Sequence, residues 1–207
     1  MKKHSLTLLF WGAVWGTCEA TIGYVLHLAA VALPGLPGAL MFPIGFYCMA
    51  RAQQATGKPA APFFIAMVAA GIKLVDFLMP GYDVIRVVNP ALSILLEGLA
   101  VTAVLALFRP RGSMPGYFQV LGMGVLWRTL FAFWLALISL FDLPAGLVTS
   151  GILILLRFVL LESFLNSLII FAGLRLASVF PSPKPWIINP AAAWLALLAA
   201  IGLQAAL

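Results

Sequence analysis

The sequence predicts an all-α protein: a polytopic transmembrane bundle of about seven helices, six plus one C-terminal, with its N-terminus in the cytoplasm. Three observations carry this. Of the 207 residues, 64% are hydrophobic and 9% charged, against about 45–50% and about 25% in soluble domains; the mean hydropathy is +1.12. Apolar runs, most of them near the ~20 residues that cross a ~30 Å hydrocarbon core, follow one another with short connections. Charge alternates from one connection to the next. One integral membrane domain, residues 1–207, accounts for the length.

The first run, 6–32, follows "MKKHS". A basic start before an apolar stretch has the form of a signal peptide. No A-x-A-type cleavage site follows, and the run continues far enough to span, so an uncleaved first helix is expected. "GALMFPIGFYCMA" marks a second helix at 38–51, short and interrupted by Pro43. Runs at 61–79, 89–108, 117–141 and 145–175 give the third to sixth. "VVNPALSILLEG" and "IINPAAAWLALL" share Asn-Pro-Ala. Asn89 and Asn189 are therefore expected to cap helices, with Pro90 and Pro190 in the first turn. The latter opens a seventh helix at 187–206.

The connections test this count. Lys2 and Lys3 precede the first helix, and "LPGLPG" after it carries no charge. "RAQQATGKPA" has Arg51 and Lys58, and "GYDVIRVV" balances Asp83 against Arg86. "RPRGSMPG" has Arg109 and Arg111, the next turn only Asp142, and "RLASVFPSPKP" Arg175 and Lys184. The positive-inside rule then gives a multi-pass protein of a bacterial inner membrane, N-terminus in and C-terminus out. The same scatter excludes nucleic acid as a partner despite a net charge of +6, because no basic stripe with interleaved aromatics exists. Cys18 and Cys48 fall in apolar runs and are expected as two buried thiols without a disulfide.

Ionisable side chains inside spanning helices cost about 2.5–3.5 kcal/mol each on insertion scales and face a cavity or a partner. This chain has Glu19 and His27 in the first helix, Lys73 and Asp76 in the third, Glu97 in the fourth, Arg128 in the fifth, and Arg157 and Glu162 in the sixth, with Asn166 one turn on. Glu19, Arg128 and Glu162 come out near the midplane and the others in the outer half. Structural pairs explain part of the set: Lys73 with Asp76 at i, i+3, Arg128 with Glu19 or Glu97, Arg157 with Glu162. The remainder points to a water-accessible pocket opening outward, in which these eight residues bind substrate. Glu19 and His27 lie about 80° apart around an ideal helix, a loosely shared face. No HExxH or other ligand spacing is present, so no metal or other cofactor is expected, and no GxSxG accompanies the histidine.

Gly12, Gly16 and Ala20 recur every four residues on the first helix. Such small-residue stripes let another helix approach closely, either within the chain or from a partner membrane protein.

On "GAVWGTCEA", the Pro-Gly-rich "LPGLPGALMFPIG" and "IKLVDFLMPGYDVIRVVNPALSILLEG", the chain resembles the substrate-binding (S) components of energy-coupling factor (ECF) transporters over about residues 6–178. The resemblance implies a ligand held near the outer surface, docking of the small-residue stripe on a transmembrane coupling subunit with ATPases, and no enzymatic activity. It also implies six helices, which leaves 187–206 as an addition. A nutrient-capture protein is the reading that follows. The alternatives are an accessory subunit of a larger membrane complex, with the charges at subunit contacts, and an intramembrane enzyme acting on lipid headgroups. Whether the polar residues line one cavity or face the periphery separates them.

Overall fold

The computed structural model describes residues 3–29, 36–79, 83–108, 115–179 and 188–206. Every element among them is helical. Seven helices follow the seven apolar runs. α1 covers residues 3–29 as Lys3–Cys18, a π turn at Glu19–Gly23 and Tyr24–Ala29. α2 is Leu36–Thr56. α3 is Ala61–Lys73 with a last, tighter 3₁₀ stretch at Leu74–Leu78. α4 is Val84–Leu107 and α5 is Tyr117–Ser139. α6 covers residues 152–179, with a π turn at Arg157–Leu161. α7 is Pro190–Ala206.

Four of these are long and apolar enough to cross a membrane: Ala61–Leu78, Val84–Leu107, Tyr117–Ser139 and Ile152–Leu176. α2 reaches 21 residues, several more than the sequence suggested, because its last turns accept the polar "RAQQAT". Pro43 is carried inside it. α6 starts later than expected. Residues 145–151 form a turn, and Gly151 at φ 106 supplies the backbone conformation that leads into the helix.

The two Asn-Pro-Ala segments part company. Asn189 caps α7 as expected, its Oδ1 accepting from Ala192 N–H at 2.6 Å. Asn89 does not open a helix: α4 begins a turn and a half earlier, and Pro90 lies within it. The Asn89 Oδ1 instead accepts from the Trp134 indole at 2.8 Å, tying α4 to α5. The apolar "VIRVV" upstream gains burial by continuing the helix, Val87 being fully buried.

Packing closes six helices into a ring in the order α1, α3, α4, α5, α6, α2, with α7 laid mainly on α1. Its glycines mark the tight seams. A Cβ on Gly12 would meet Val68 at 2.5 Å and one on Gly16 would meet Ile72 at 2.5 Å, both on α3. Ala20 is also buried. The stripe Gly12, Gly16, Ala20 is therefore a contact within the chain rather than an open face for a partner. Gly45 lies as closely under Trp15, and Gly124 against Ser163. Outside, the helices present large apolar side chains to their surroundings, with Leu78, Phe118 and Leu153 78–83% exposed. So continuous an apolar exterior exceeds what soluble monomers expose.

Gln204 at the end of α7 meets Asp76 at the end of α3, and Trp134 near the end of α5 meets Asn89 near the start of α4. Tyr24 of α1 joins them at the second cavity described below, so these segments share one end of the bundle. Asp83, Arg86 and Asp142 belong to that end; Arg51, Lys58 and Arg175 belong to the other. Arg109, Arg111 and Lys184 lie outside the described residues.

Candidate functional site

Two cavities adjoin inside the ring near the end that carries Asp83 and Asp142. The first, about 390 Å³, is bounded by Glu19 of α1, Gly38 and Met41 of α2, Ser93, Ile94 and Glu97 of α4, Trp127 of α5 and Phe158 of α6. The second, about 650 Å³, reaches towards the end of the bundle past Tyr24, Lys73, Asp76, Arg86, Ala145 and Gln204. Glu19, Asn89, Pro90, Phe131 and Leu147 belong to both walls.

Glu19 is half-buried at this shared wall. Its Oε1 accepts from the Trp15 indole N–H at 3.1 Å, one turn earlier on α1. The sequence pairing of Glu19 with Arg128 is corrected: the guanidinium lies elsewhere. Glu97, 3% exposed, meets only the Ser93 hydroxyl, at 3.5 Å. Among the described residues its Oε2 has no hydrogen-bond partner. No basic side chain among the described residues comes within 4 Å of either glutamate.

Arg128 is fully buried between α5, α2 and α6. Its Nη2 donates to Asn166 Oδ1 at 3.1 Å and to the Gly38 carbonyl at 3.2 Å, and its Nη1 donates to Ser163 Oγ at 3.4 Å. Asn166 Nδ2 donates to the same Gly38 carbonyl at 3.2 Å. Glu162 supplies the counter-charge, Nε to Oε2 at 3.9 Å. The guanidinium lies over the Trp127 ring at 4.4 Å and near Phe158 at 5.4 Å. Arg128 and Glu162 are thus held behind the cavity wall rather than on it. They tie the start of α2 to α5 and α6.

Lys73 and Asp76 form the expected i, i+3 pair at 2.9 Å, and both line the second cavity. Asp76 also accepts from Gln204 Nε2 at 2.6 Å, which fastens the end of α7 to the end of α3. Arg86 and Asp83 pair at 3.4 Å in the open. Arg157 is exposed in the π turn of α6 and belongs to neither cavity lining. The His27 side chain lies outside what the structure describes. Cys48 is buried, Cys18 half-buried, and both are free.

Of the eight candidate residues, four line the two adjoining cavities: Glu97 the first, Lys73 and Asp76 the second, and Glu19 both. Sequence reading missed Trp15, Ser93, Phe131 and Gln204. Trp15 and Ser93 were signalled by their i, i+4 spacing to a glutamate, and Gln204 by being polar in an apolar helix. Phe131 had no signal among so many aromatics. Among the described residues, no three His, Cys, Asp or Glu side chains come together in a way that could hold a metal ion.

No protein-family model matches the chain, and neither a curated protein nor a solved structure does.

The Gln204–Asp76 bond carries a prediction of its own. Gln204→Leu keeps the apolar fit of α7 and removes the donor. Hydrogen bonds between helices in membranes contribute about 0.6 kcal/mol on average and up to about 1.7. A loss in that range is expected in reversible SDS unfolding from mixed micelles. No loss would mean that α7 is held by its apolar contacts with α1 alone.

Proposed function

We propose that the protein is an integral membrane protein that captures a small molecule for uptake across a bacterial inner membrane. The ligand sits in the paired cavities and enters from the outer side. The observation that carries this reading is the placement of Glu19, Lys73, Asp76 and Glu97 on two adjoining cavities, with Glu19 on the wall that both share. Charges serving only subunit contacts would sit on the bundle's periphery.

The seven-crossing arrangement with a cytoplasmic N-terminus belongs to this proposal. Under it the cavities open at the outer end, away from the basic connections. An enzyme working on headgroups at the inner face would need its polar residues at the opposite end. The chain contains no GxxxxGK[ST] for nucleotide, so release of ligand requires an energised partner. A transmembrane coupling subunit with ATPases, as in the ECF transporters that the sequence resembles, is the kind of partner proposed. Its docking surface would lie elsewhere than on Gly12 and Gly16, which α3 covers, and Ala20, which is buried at the second cavity.

Native mass spectrometry of the chain in mild detergent tests this. One small molecule per chain is expected, and Ile94→Trp should remove it. Ile94 is buried against the first cavity, and an indole there would project into the space a ligand needs. Met41→Trp, entering from α2, should do the same. A bare wild-type chain, or a stoichiometric membrane-protein partner without a small molecule, overturns the reading in favour of an accessory subunit.

A further inference from the structure

The ionisable groups around the first cavity are both acidic: Glu19 and Glu97. Neighbouring cations are already committed. Lys73 pairs with Asp76 at 2.9 Å and Arg86 with Asp83 at 3.4 Å. Arg128 points its nitrogens at Asn166, Ser163 and the Gly38 carbonyl, with Glu162 as counter-charge. An ionised carboxylate in a low-dielectric interior is costly unless a cation and hydrogen-bond donors meet it. Glu97 has one long bond from Ser93, and its second oxygen has none.

The rest of the lining is apolar and aromatic. Trp127 and Phe158 already face the Arg128 guanidinium, so their rings are poor seats for a second cation. Among the described residues no cation lies over Phe131, which stands on the wall shared by both cavities. Met41, Ile94 and Leu147 complete a surface for a hydrocarbon body.

We infer that the first cavity takes a small organic monocation, an amine or quaternary ammonium, with its charge between Glu97 and Glu19 and beside Phe131. This rests on the capture reading and names its ligand class. The cation supplies the charge that Glu97 lacks, and an N–H donor, where present, satisfies the open Oε2. The apolar part of the ligand lies along Met41, Ile94 and Leu147. A neutral isostere leaves the carboxylates uncompensated, and an anion is repelled by both.

The test is isothermal titration calorimetry of the full chain in lipid nanodiscs with four probes. Two are cations, 2-phenylethylammonium and choline. The others are 3,3-dimethyl-1-butanol, the carbon isostere of choline, and the 3-phenylpropanoate anion. At least one cation is expected to bind once per chain, about tenfold or more tighter than its uncharged or anionic counterpart, as one charge-assisted contact implies. Glu97→Gln should erase that preference while leaving thermal unfolding at or above the wild-type temperature. Ile94→Trp should abolish binding of every probe.

Equal affinity for 3,3-dimethyl-1-butanol and choline overturns the inference. So does a cation affinity untouched by Glu97→Gln in a folded variant, which would mean a carboxyl held as the neutral acid. Failure of both cations to bind overturns it as well. Each of these leaves the capture reading to the mass spectrometry above, which does not depend on ligand charge.

Discussion

Arg128→Met is expected to destabilise the bundle by about 3–5 kcal/mol, the cost of breaking a buried ion pair from one side. Reversible unfolding in detergent, with yield of monodisperse protein as a second readout, measures it. Three acceptors on two other helices each lose a donor at once, the Gly38 carbonyl keeping only Asn166, and Glu162 loses its buried counter-charge. Arg128→Lys should recover only part of the loss. A single ammonium cannot reach Asn166, Ser163 and the Gly38 carbonyl together as a planar guanidinium does. The double variant Arg128→Met/Glu162→Gln separates the two contributions. Strong recovery would assign the loss to the stranded carboxylate. No recovery would assign it to the hydrogen bonds that the guanidinium makes to Asn166, Ser163 and the Gly38 carbonyl. An Arg128→Met protein as stable as the wild type would show that the cross-tie contributes nothing.

Gly98→Leu is the second large effect expected, a failure to assemble. A Cβ at Gly98 runs into the Ala66 side chain and stands 3.1 Å from the Pro62 carbonyl and 3.3 Å from the Phe63 Cα. Backbone cannot step aside, so α3 and α4 must separate. Nearby, Phe63 N–H donates to Thr102 Oγ1 at 3.2 Å, a bond that needs the same close approach. Gly98→Ala, with one carbon, should cost about 1–3 kcal/mol as an overpacking change. Gly71→Ala and Gly122→Ala are the controls, since nothing lies within 4 Å of a Cβ at either. They should be neutral or slightly stabilising, because alanine loses less chain entropy in a helix. A Gly98→Ala chain that unfolds like the controls would show the α3–α4 seam to be looser than drawn.

The helices were legible in the sequence because length and hydropathy report them directly. Their ends were legible only where the cap is local. Asn189 bonds to a backbone three residues away, so the short segment "INPAA" contains the whole cause. Asn89 stands in the same tripeptide, but its partner is Trp134 on another helix, and no local pattern encodes that. The site divides in the same way. Lys73 and Asp76 are three residues apart and pair as spacing predicts. The sequence paired Arg128 with Glu19 or Glu97 and Glu162 with Arg157, yet Arg128 meets Glu162, because which glutamate it reaches depends on how the ring closes. The small-residue stripe told truly of a close helix contact; that the contact is α3 of the same chain is again a property of the ring.

The π turn at Glu19–Gly23 bears on the same limit. A π turn takes up one more residue than the α-helix around it, so every later position lags by about 100° of rotation. Counted at a constant 100° per residue, positions 19 and 27 differ by about 80°. With one residue absorbed in the turn, the difference falls to about 20°, and the two positions come into phase on the helix backbone. A helical wheel drawn through residues 3–29 at one fixed pitch therefore misplaces the entire second half of α1.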